Sequence, residues 1–203
     1  MNPIRATKRI KIAEELPEGS MLPENIRRPG ETNEMADVKF IVEGEIFSAH
    51  RAVLGARLAV FKAELSESDS AAEREEVIPI MDMQAAVFKL LLEFMYTDNL
   101  PEDASFEIIQ GLMVAANKYA LEGLVVRCQQ RLIKNLTLDT GTDYLIFADQ
   151  NGFSKLKKEC LQFLSKEDII RKLALSLKHG LMGVNHPSLL HELREVYESR
   201  TLF

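Results

Sequence analysis

The chain has 203 residues, 46% of them apolar, and carries 25 basic against 31 acidic residues, a formal net charge of −6. Domains usually contain roughly 100–150 residues, so this length supports one good core or two small ones. The excess of acidic residues, together with the lack of a basic stripe in the part expected to fold, argues against a nucleic-acid partner. No run of about 18 apolar residues occurs, so no membrane partner is expected either.

Two cysteines, Cys128 and Cys160, both lie within apolar helical patterns. They favour neither a disulfide framework nor a metal knuckle, which fits a reducing compartment. The first residues lack the apolar stretch and cleavage site of a signal peptide. We therefore expect a soluble protein located in the cytoplasm, the nucleus or both.

Residues 1–35, here called the lead-in, contain four prolines and no sustained hydrophobic period. This composition predicts an extended or disordered segment. A small basic group within it has two readings, a nuclear import signal and a solvated tail. The members of the group are Arg5, Lys8, Arg9 and Lys11.

An alternating pattern begins at Val38 and places Val38, Phe40 and Val42 on one face. It is interrupted by Glu43-Gly44 and then resumes, which predicts an antiparallel hairpin with a tight turn. Two strands cannot stand alone, so other elements must cover their apolar face.

The cover is expected from residues 51–65, whose apolar positions lie near helical spacing and predict one or two short helices. Residues 66–76 have no apolar side chain larger than alanine, so they predict a surface loop. Residues 77–80 predict a third short strand.

A wide apolar stripe predicts the central buried helix of the fold. It consists of Val87, Phe88, Leu91, Leu92 and Met95. Two more helices are expected to follow, and this first unit is expected to close near residue 136.

Beyond residue 136 the pattern is wholly helical, with helices predicted over residues 144–150, 153–164, 169–178 and 188–199. Short connections imply that neighbouring helices stack as antiparallel pairs. The predicted fold class is therefore α+β, a short β-sheet flanked by a helical cluster, followed by an all-helical extension.

No arrangement typical of catalysis or metal binding is found in the sequence. His179, His186 and His191 are spaced by seven and five residues, which does not place them on one helical turn, and no cysteine or paired carboxylate completes a ligand set. Neither a Gly-x-Ser-x-Gly turn nor a phosphate-binding glycine loop occurs. We predict no catalytic residue, no cofactor and no metal.

Ordered sequence blocks over residues 37–136 resemble the BTB/POZ family, and more closely the plant MATH–BTB group of adaptor proteins. The blocks are Ala36-Asp37-Val38, Phe47-Ser48-Ala49-His50-Arg51-Ala52-Val53-Leu54, Ala56-Arg57, Val60-Phe61, Val87-Phe88, Phe94-Met95-Tyr96-Thr97 and Ala115-Ala116-Asn117-Lys118-Tyr119-Ala120-Leu121. The resemblance places a BTB/POZ domain at residues 36–136 and a BACK-like helical extension at residues 137–203. At most 36 residues precede it, so we expect the MATH domain to be absent.

The resemblance implies a non-catalytic adaptor that dimerises with itself or with another BTB protein. Such an adaptor docks on a cullin scaffold and brings a substrate, here unknown, to a RING-type ubiquitin ligase. The implied dimer interface includes Val53, Leu54 and Leu58, although a plain core role for Val53 is an open alternative.

The resemblance also implies a polar groove at the base of the dimer. It would be lined by Asp37, His50 and Arg51, where a buried carboxylate facing a cation is held by pairing. An ordinary turn-and-cap role for these three residues is the alternative.

Two departures from the family pattern bear on function. Relatives that bind cullin carry an apolar residue, any residue and then Glu in the cullin-facing loop, whereas this chain has Asp69, Ser70 and Ala71. Placing Asp69 in an apolar pocket without a partner costs on the order of a few kcal/mol. The segment before Asp37, residues 25–34, is short and polar where relatives have an apolar helix that supports the dimer.

The expected absence of a substrate-binding MATH domain and the altered cullin-facing loop favour a second hypothesis, a MATH-less scaffold or dominant-negative dimerisation partner that does not bind cullin. A third class, a transcriptional scaffold, would require nuclear enrichment that depends on the basic group of the lead-in.

Replacing Asp69 with Met together with Ala71 with Glu is predicted to strengthen binding to the cullin N-terminal domain, because it restores the apolar anchor and the acidic residue. The affinity can be measured by titration calorimetry against the unmodified chain. An unchanged affinity would show that the loop alignment is wrong.

Overall fold

The computed structural model describes residues 36–57 and 77–201. In chain order the strands of this part are β1 (Val38–Val42), β2 (Glu45–Ala49) and β3 (Val77–Ile80). The helices are α1 (Arg51–Arg57), α2 (Ala85–Thr97), α3 (Phe106–Lys118), α4 (Glu122–Lys134), α5 (Leu138–Gln150), α6 (Ser154–Leu164), α7 (Glu167–Ala174), α8 (Leu177–Asn185) and α9 (Pro187–Thr201).

The strands form one sheet in the order β2-β1-β3, with β1 antiparallel to β2 and parallel to β3. The connecting turn has positive φ at both central residues, 49° at Glu43 and 85° at Gly44. A two-residue hairpin needs this geometry because it matches the twist of the strands. The predicted hairpin and third strand are confirmed, and Val38, Phe40 and Val42 are buried as expected.

The central buried helix is also confirmed, as α2. Phe88 is fully buried, and its ring lies 5.2 Å from that of Phe40 and 5.3 Å from that of Phe47. The hairpin turn holds the start of this helix, since Glu43 Oε2 accepts the Ala85 N–H at 2.9 Å. A carboxylate at a helix N-terminus also interacts favourably with the helix dipole.

The helical extension packs directly on the first unit, because buried side chains from β1 to α9 form one continuous core. Aromatic rings cross between the two parts: Phe106 of α3 lies 4.5 Å from Tyr144 of α5. A reciprocal Thr137–Thr140 capping box starts α5 at Leu138, earlier than the predicted residue 144. The predicted fold class, an α+β unit followed by helices, is confirmed.

The helix predicted over residues 169–178 is wrong, because the structure divides it into α7 and α8. The Ser176 hydroxyl donates to the Leu173 carbonyl at 2.6 Å, and the Ser176 amide donates to the same oxygen at 2.8 Å. A serine hydroxyl that donates to a helical carbonyl competes with the backbone N–H groups that would otherwise continue the helix. Gly180 lies inside α8. The predicted helix of residues 51–65 is described only as far as Arg57.

Replacing Gly111 with Ala is predicted to lower the free energy of unfolding by about 1–3 kcal/mol, because the new methyl group overpacks the α2–α3 contact. A Cβ at this position would lie 2.8 Å from Val87 Cγ2. Urea unfolding of the whole chain measures the effect.

The matched control is Gly123→Ala, since a Cβ there meets nothing within 4 Å. In an open helical position alanine is more favourable than glycine by up to about 1 kcal/mol. If both variants changed stability equally, close packing at Gly111 would not be the cause.

Candidate functional site

The residues expected at a dimer interface differ in their surroundings. Leu54 is fully buried inside the chain and has no accessible surface to offer a partner. Val53 packs against the same core while keeping part of its surface exposed. Leu58 lies outside the described residues. Contact between two copies through α1 stays a prediction, and Val53 is the residue of this pair that can take part directly.

The three residues expected to line a polar groove come together at the start of α1. Asp37 Oδ1 accepts the Arg51 N–H at 2.7 Å, and Arg51 Nε donates to the Asp37 carbonyl at 3.3 Å. These bonds satisfy a free amide of the first helical turn from a residue fourteen positions earlier. Within one chain, the contacts are therefore those of the turn-and-cap alternative, and the groove of a dimer stays a prediction.

A fourth residue, Tyr96 of α2, completes this polar cluster. Its hydroxyl accepts the His50 N–H at 2.9 Å and lies 2.9 Å from His50 Nδ1. Burial raises the pKa of Tyr96, and the charge of Asp37 raises it further, so the hydroxyl keeps its proton. The hydroxyl therefore contacts both the backbone and the ring of His50.

The ring of Tyr96 is buried. Its bond to His50 spans 46 positions, so no local pattern could reveal it. The cluster of Asp37, His50, Arg51 and Tyr96 fixes the start of α1 against the end of α2.

A second polar network joins three helices and was missed at the level of sequence. Arg57 at the end of α1 donates to both carboxylate oxygens of Asp98, at 2.6 and 2.9 Å. Arg127 of α4 donates to the Asp98 carbonyl at 2.9 Å. The hydrogen bond from Arg57 lowers the pKa of Asp98. Asp98 also ends α2 with a left-handed backbone conformation.

An open cleft lies where α3 ends and α4 begins, with a volume of about 290 Å³. The turn between the helices includes Ala120, which has a φ of 56°. Val126 is 42% exposed. The lining residues are Ala116, Asn117, Ala120, Glu122, Val125 and Val126. Mostly small and apolar, with two polar groups, the cleft can receive an apolar side chain of a protein partner. Sequence reasoning did not single it out.

Two groups of residues singled out in the sequence lie outside the described part of the chain. They are the cullin-facing loop residues Asp69, Ser70 and Ala71, and the basic group Arg5, Lys8, Arg9 and Lys11.

Within residues 36–57 and 77–201, no group of three potential metal ligands from His, Cys, Asp and Glu comes together. Burial raises the pKa of the Cys128 and Cys160 thiols to about 12. Of the helices in this part of the chain, none is both long and apolar enough to span a membrane.

Comparison with protein families gives two adjacent matches. The family described as "BTB/POZ domain" matches residues 27–136. The family described as "BPM/SPOP, BACK domain" matches residues 140–194. The change from one family to the other falls between α4 and α5.

Two curated relatives illustrate the similarity. TD and POZ domain-containing protein 3 of Mus musculus is 36% identical over 145 residues, which are 71% of this chain and 40% of that protein. BTB/POZ and MATH domain-containing protein 4 of Arabidopsis thaliana is 36% identical over 150 residues, 67% of this chain and 32% of that protein. The chain thus spans two fifths or less of the length of these relatives.

Solved structures similar to this chain include BTB domains. That of zebrafish PATZ1 is 28% identical, with a TM-score of 0.41, and the match covers 50% of this chain and 77% of that one. That of human gigaxonin is 18% identical, also with a TM-score of 0.41, covering 47% and 76%. Because one family match covers more than half of its residues, the chain belongs to the BTB/POZ family, and a BACK domain of the BPM/SPOP type follows its BTB domain.

Proposed function

We propose that this chain is a non-catalytic adaptor that dimerises and links a substrate protein to a cullin–RING ubiquitin ligase. The observation that carries the proposal is the succession of a BTB domain and a BACK domain of the BPM/SPOP type. The two parts share one core, so they can present a partner in a fixed position. An adaptor contributes proximity, and the chemistry is left to the ligase.

The proposed partners are a second BTB chain and the N-terminal domain of the BTB-binding cullin. The first would contact the exposed part of Val53 on α1. The second would contact the face formed by the loop of Asp69, Ser70 and Ala71 and by the helices that follow it. The apolar lining of the α3–α4 cleft supports its inclusion in this face. We propose a location in the cytoplasm, the nucleus or both.

A second candidate function is a scaffold or dominant-negative partner that pairs with BTB proteins and does not bind cullin. The observation that favours it is Asp69, where cullin-binding relatives carry an apolar residue. A carboxylate resists transfer into an apolar pocket because it loses its hydration there.

Light scattering of the purified chain, alone and mixed with the cullin N-terminal domain, separates the two candidates. A complex of two chains with two cullin domains is expected for the ligase adaptor. A dimer that leaves cullin unbound would contradict the adaptor proposal and support the scaffold. A chain that remains monomeric and unbound would contradict both.

Replacing Val126 with Asp is predicted to weaken cullin binding by roughly tenfold or more, because a charge in the α3–α4 cleft would be desolvated by an apolar partner group. Val114→Asp is the matched control, since Val114 is 45% exposed on a separate surface of α3. Titration calorimetry measures both affinities. Equal losses in the two variants would remove the cleft from the proposed cullin-facing surface.

Replacing Val53 with Lys is predicted to shift the dimer toward monomer, because a buried cation without a partner loses its hydration. Light scattering over a dilution series measures the dissociation. Val184→Lys is the control, since Val184 is 80% exposed on α8. A Val53 variant as dimeric as the control would exclude Val53 from the interface.

A further inference from the structure

A cleft with a volume of about 400 Å³ lies between the second half of α4 and the segment that follows α2. Its lining includes three cationic side chains of α4, Arg127, Arg131 and Lys134, and the carboxylate of Glu102. We call it the α4 cationic cleft. Three positive charges against one negative charge make this cleft cationic, although the chain as a whole has a net charge of −6.

The three cations lie on one face of α4. Arg127, Arg131 and Lys134 are spaced by four and then three residues, which is the spacing of neighbours on a helix surface. With a rise of about 1.5 Å per residue, their Cα atoms span about 10 Å along the helix axis. An extended chain covers the same distance with about three residues. A short peptide is therefore long enough to contact all three side chains.

No carboxylate in the described part of the chain forms an ion pair with these three cations. The basic side chains that do contact a carboxylate there are Arg57, Lys118, Lys157, Arg171, Lys178 and His191. The Asp98 carboxylate lies near Arg127, but both of its oxygens accept hydrogen bonds from Arg57. Like charges at these helical spacings repel each other, so a bound carboxylate would relieve a repulsion within α4.

Hydrogen bonds to backbone carbonyls hold two of the cations in place without cancelling their charge. Arg131 donates to three carbonyls within residues 101–104, and Arg127 donates to the carbonyl of Asp98. A guanidinium group has five N–H donors, so each arginine keeps donors for a further acceptor. Because these side chains are already positioned, less conformational freedom is lost when an anion binds.

The lining of the cleft favours a peptide over a nucleic acid. Nucleic-acid binding requires a basic stripe that neutralises several phosphates, whereas these cations end with α4 and share the cleft with Glu102. The amide side chains of Asn99 and Gln130 also line it, and each has a donor and an acceptor for a peptide backbone. Leu100 adds an apolar contact.

We propose that the α4 cationic cleft binds an acidic peptide segment of a partner protein, in which Asp and Glu dominate over three or four consecutive residues. Arg127 and Arg131 donate to its carboxylates, and Lys134 attracts a carboxylate at the end of the helix. The α3–α4 cleft lies at the start of α4 and is a separate surface. The inference therefore goes beyond the proposed function and does not depend on cullin binding.

Fluorescence anisotropy with a labelled hexaglutamate peptide tests this proposal on the whole chain in low-salt buffer. The double variant Gln130→Glu, Lys134→Glu is expected to weaken binding by roughly tenfold or more, because it places like charges against the peptide. It retains Arg127 and Arg131, so their hydrogen bonds to the backbone are kept. Added salt should also weaken binding, since it screens exposed charges.

The matched control is Gln150→Glu with Lys155→Glu, which makes the same change of charge at exposed positions of α5 and α6. This control should leave the affinity for hexaglutamate unchanged. Equal losses in the two double variants, or no binding by the unmodified chain, would overturn the proposal.

Competition with a six-nucleotide oligothymidylate distinguishes the two kinds of acidic partner. The oligonucleotide is expected to displace labelled hexaglutamate less readily than unlabelled hexaglutamate does. More effective displacement by the oligonucleotide would overturn the proposal in favour of a nucleic-acid site. Neither assay contains cullin or a second BTB protein, so failure here and failure of the proposed adaptor function are distinguishable.

Discussion

The contact between α2 and β1 is the interaction on which the rest of the described structure depends. Phe88 of α2 packs on the rings of Phe40 and Phe47, and all of its surface is buried. Each large apolar side chain buried in this way contributes about 1.5–3 kcal/mol. β1 is the middle strand of the sheet, and α2 contacts both α1 and α3. The packing of α2 on β1 therefore positions these two helices as well. The helical extension then adds to the core through the packing of α6 on α4 and through the Phe106–Tyr144 ring contact between α3 and α5.

Polar contacts at both ends of α1 fix the position of this helix on the apolar core. The Asp37–Arg51 and His50–Tyr96 contacts fix the start of α1, and the Arg57–Asp98 pair fixes its end. Of these contacts, the Arg57–Asp98 ion pair is partly exposed, and an ion pair of this kind contributes little to stability. Their effect is geometric: they hold α1 at one angle to α2, so Val53 faces outward while Leu54 is buried.

The proposed function depends on surfaces that contact other proteins. The two thiols are buried and protonated, and Tyr96 is engaged by His50. Among the described residues, features open to partners include the exposed part of Val53, the α3–α4 cleft and the outer face of the sheet. They lie on different elements that share one core, so the proposed adaptor has separate surfaces for different partners.

The sequence by itself determined the hairpin, its turn, the third strand and the central helix, because alternation, turn residues and a helical stripe are local signals. It also placed Asp37, His50 and Arg51 together, through a family resemblance. Only the tertiary structure decided that Tyr96 and Asp98 connect separate helices through hydrogen bonds. It also decided that Val53 and Leu54 differ in exposure. It also decided that α7 ends near Ser176, where a side-chain hydrogen bond competes with a continuous apolar pattern. These features depend on partners up to 46 positions away or on the balance between competing hydrogen bonds, and neither is encoded in a local period.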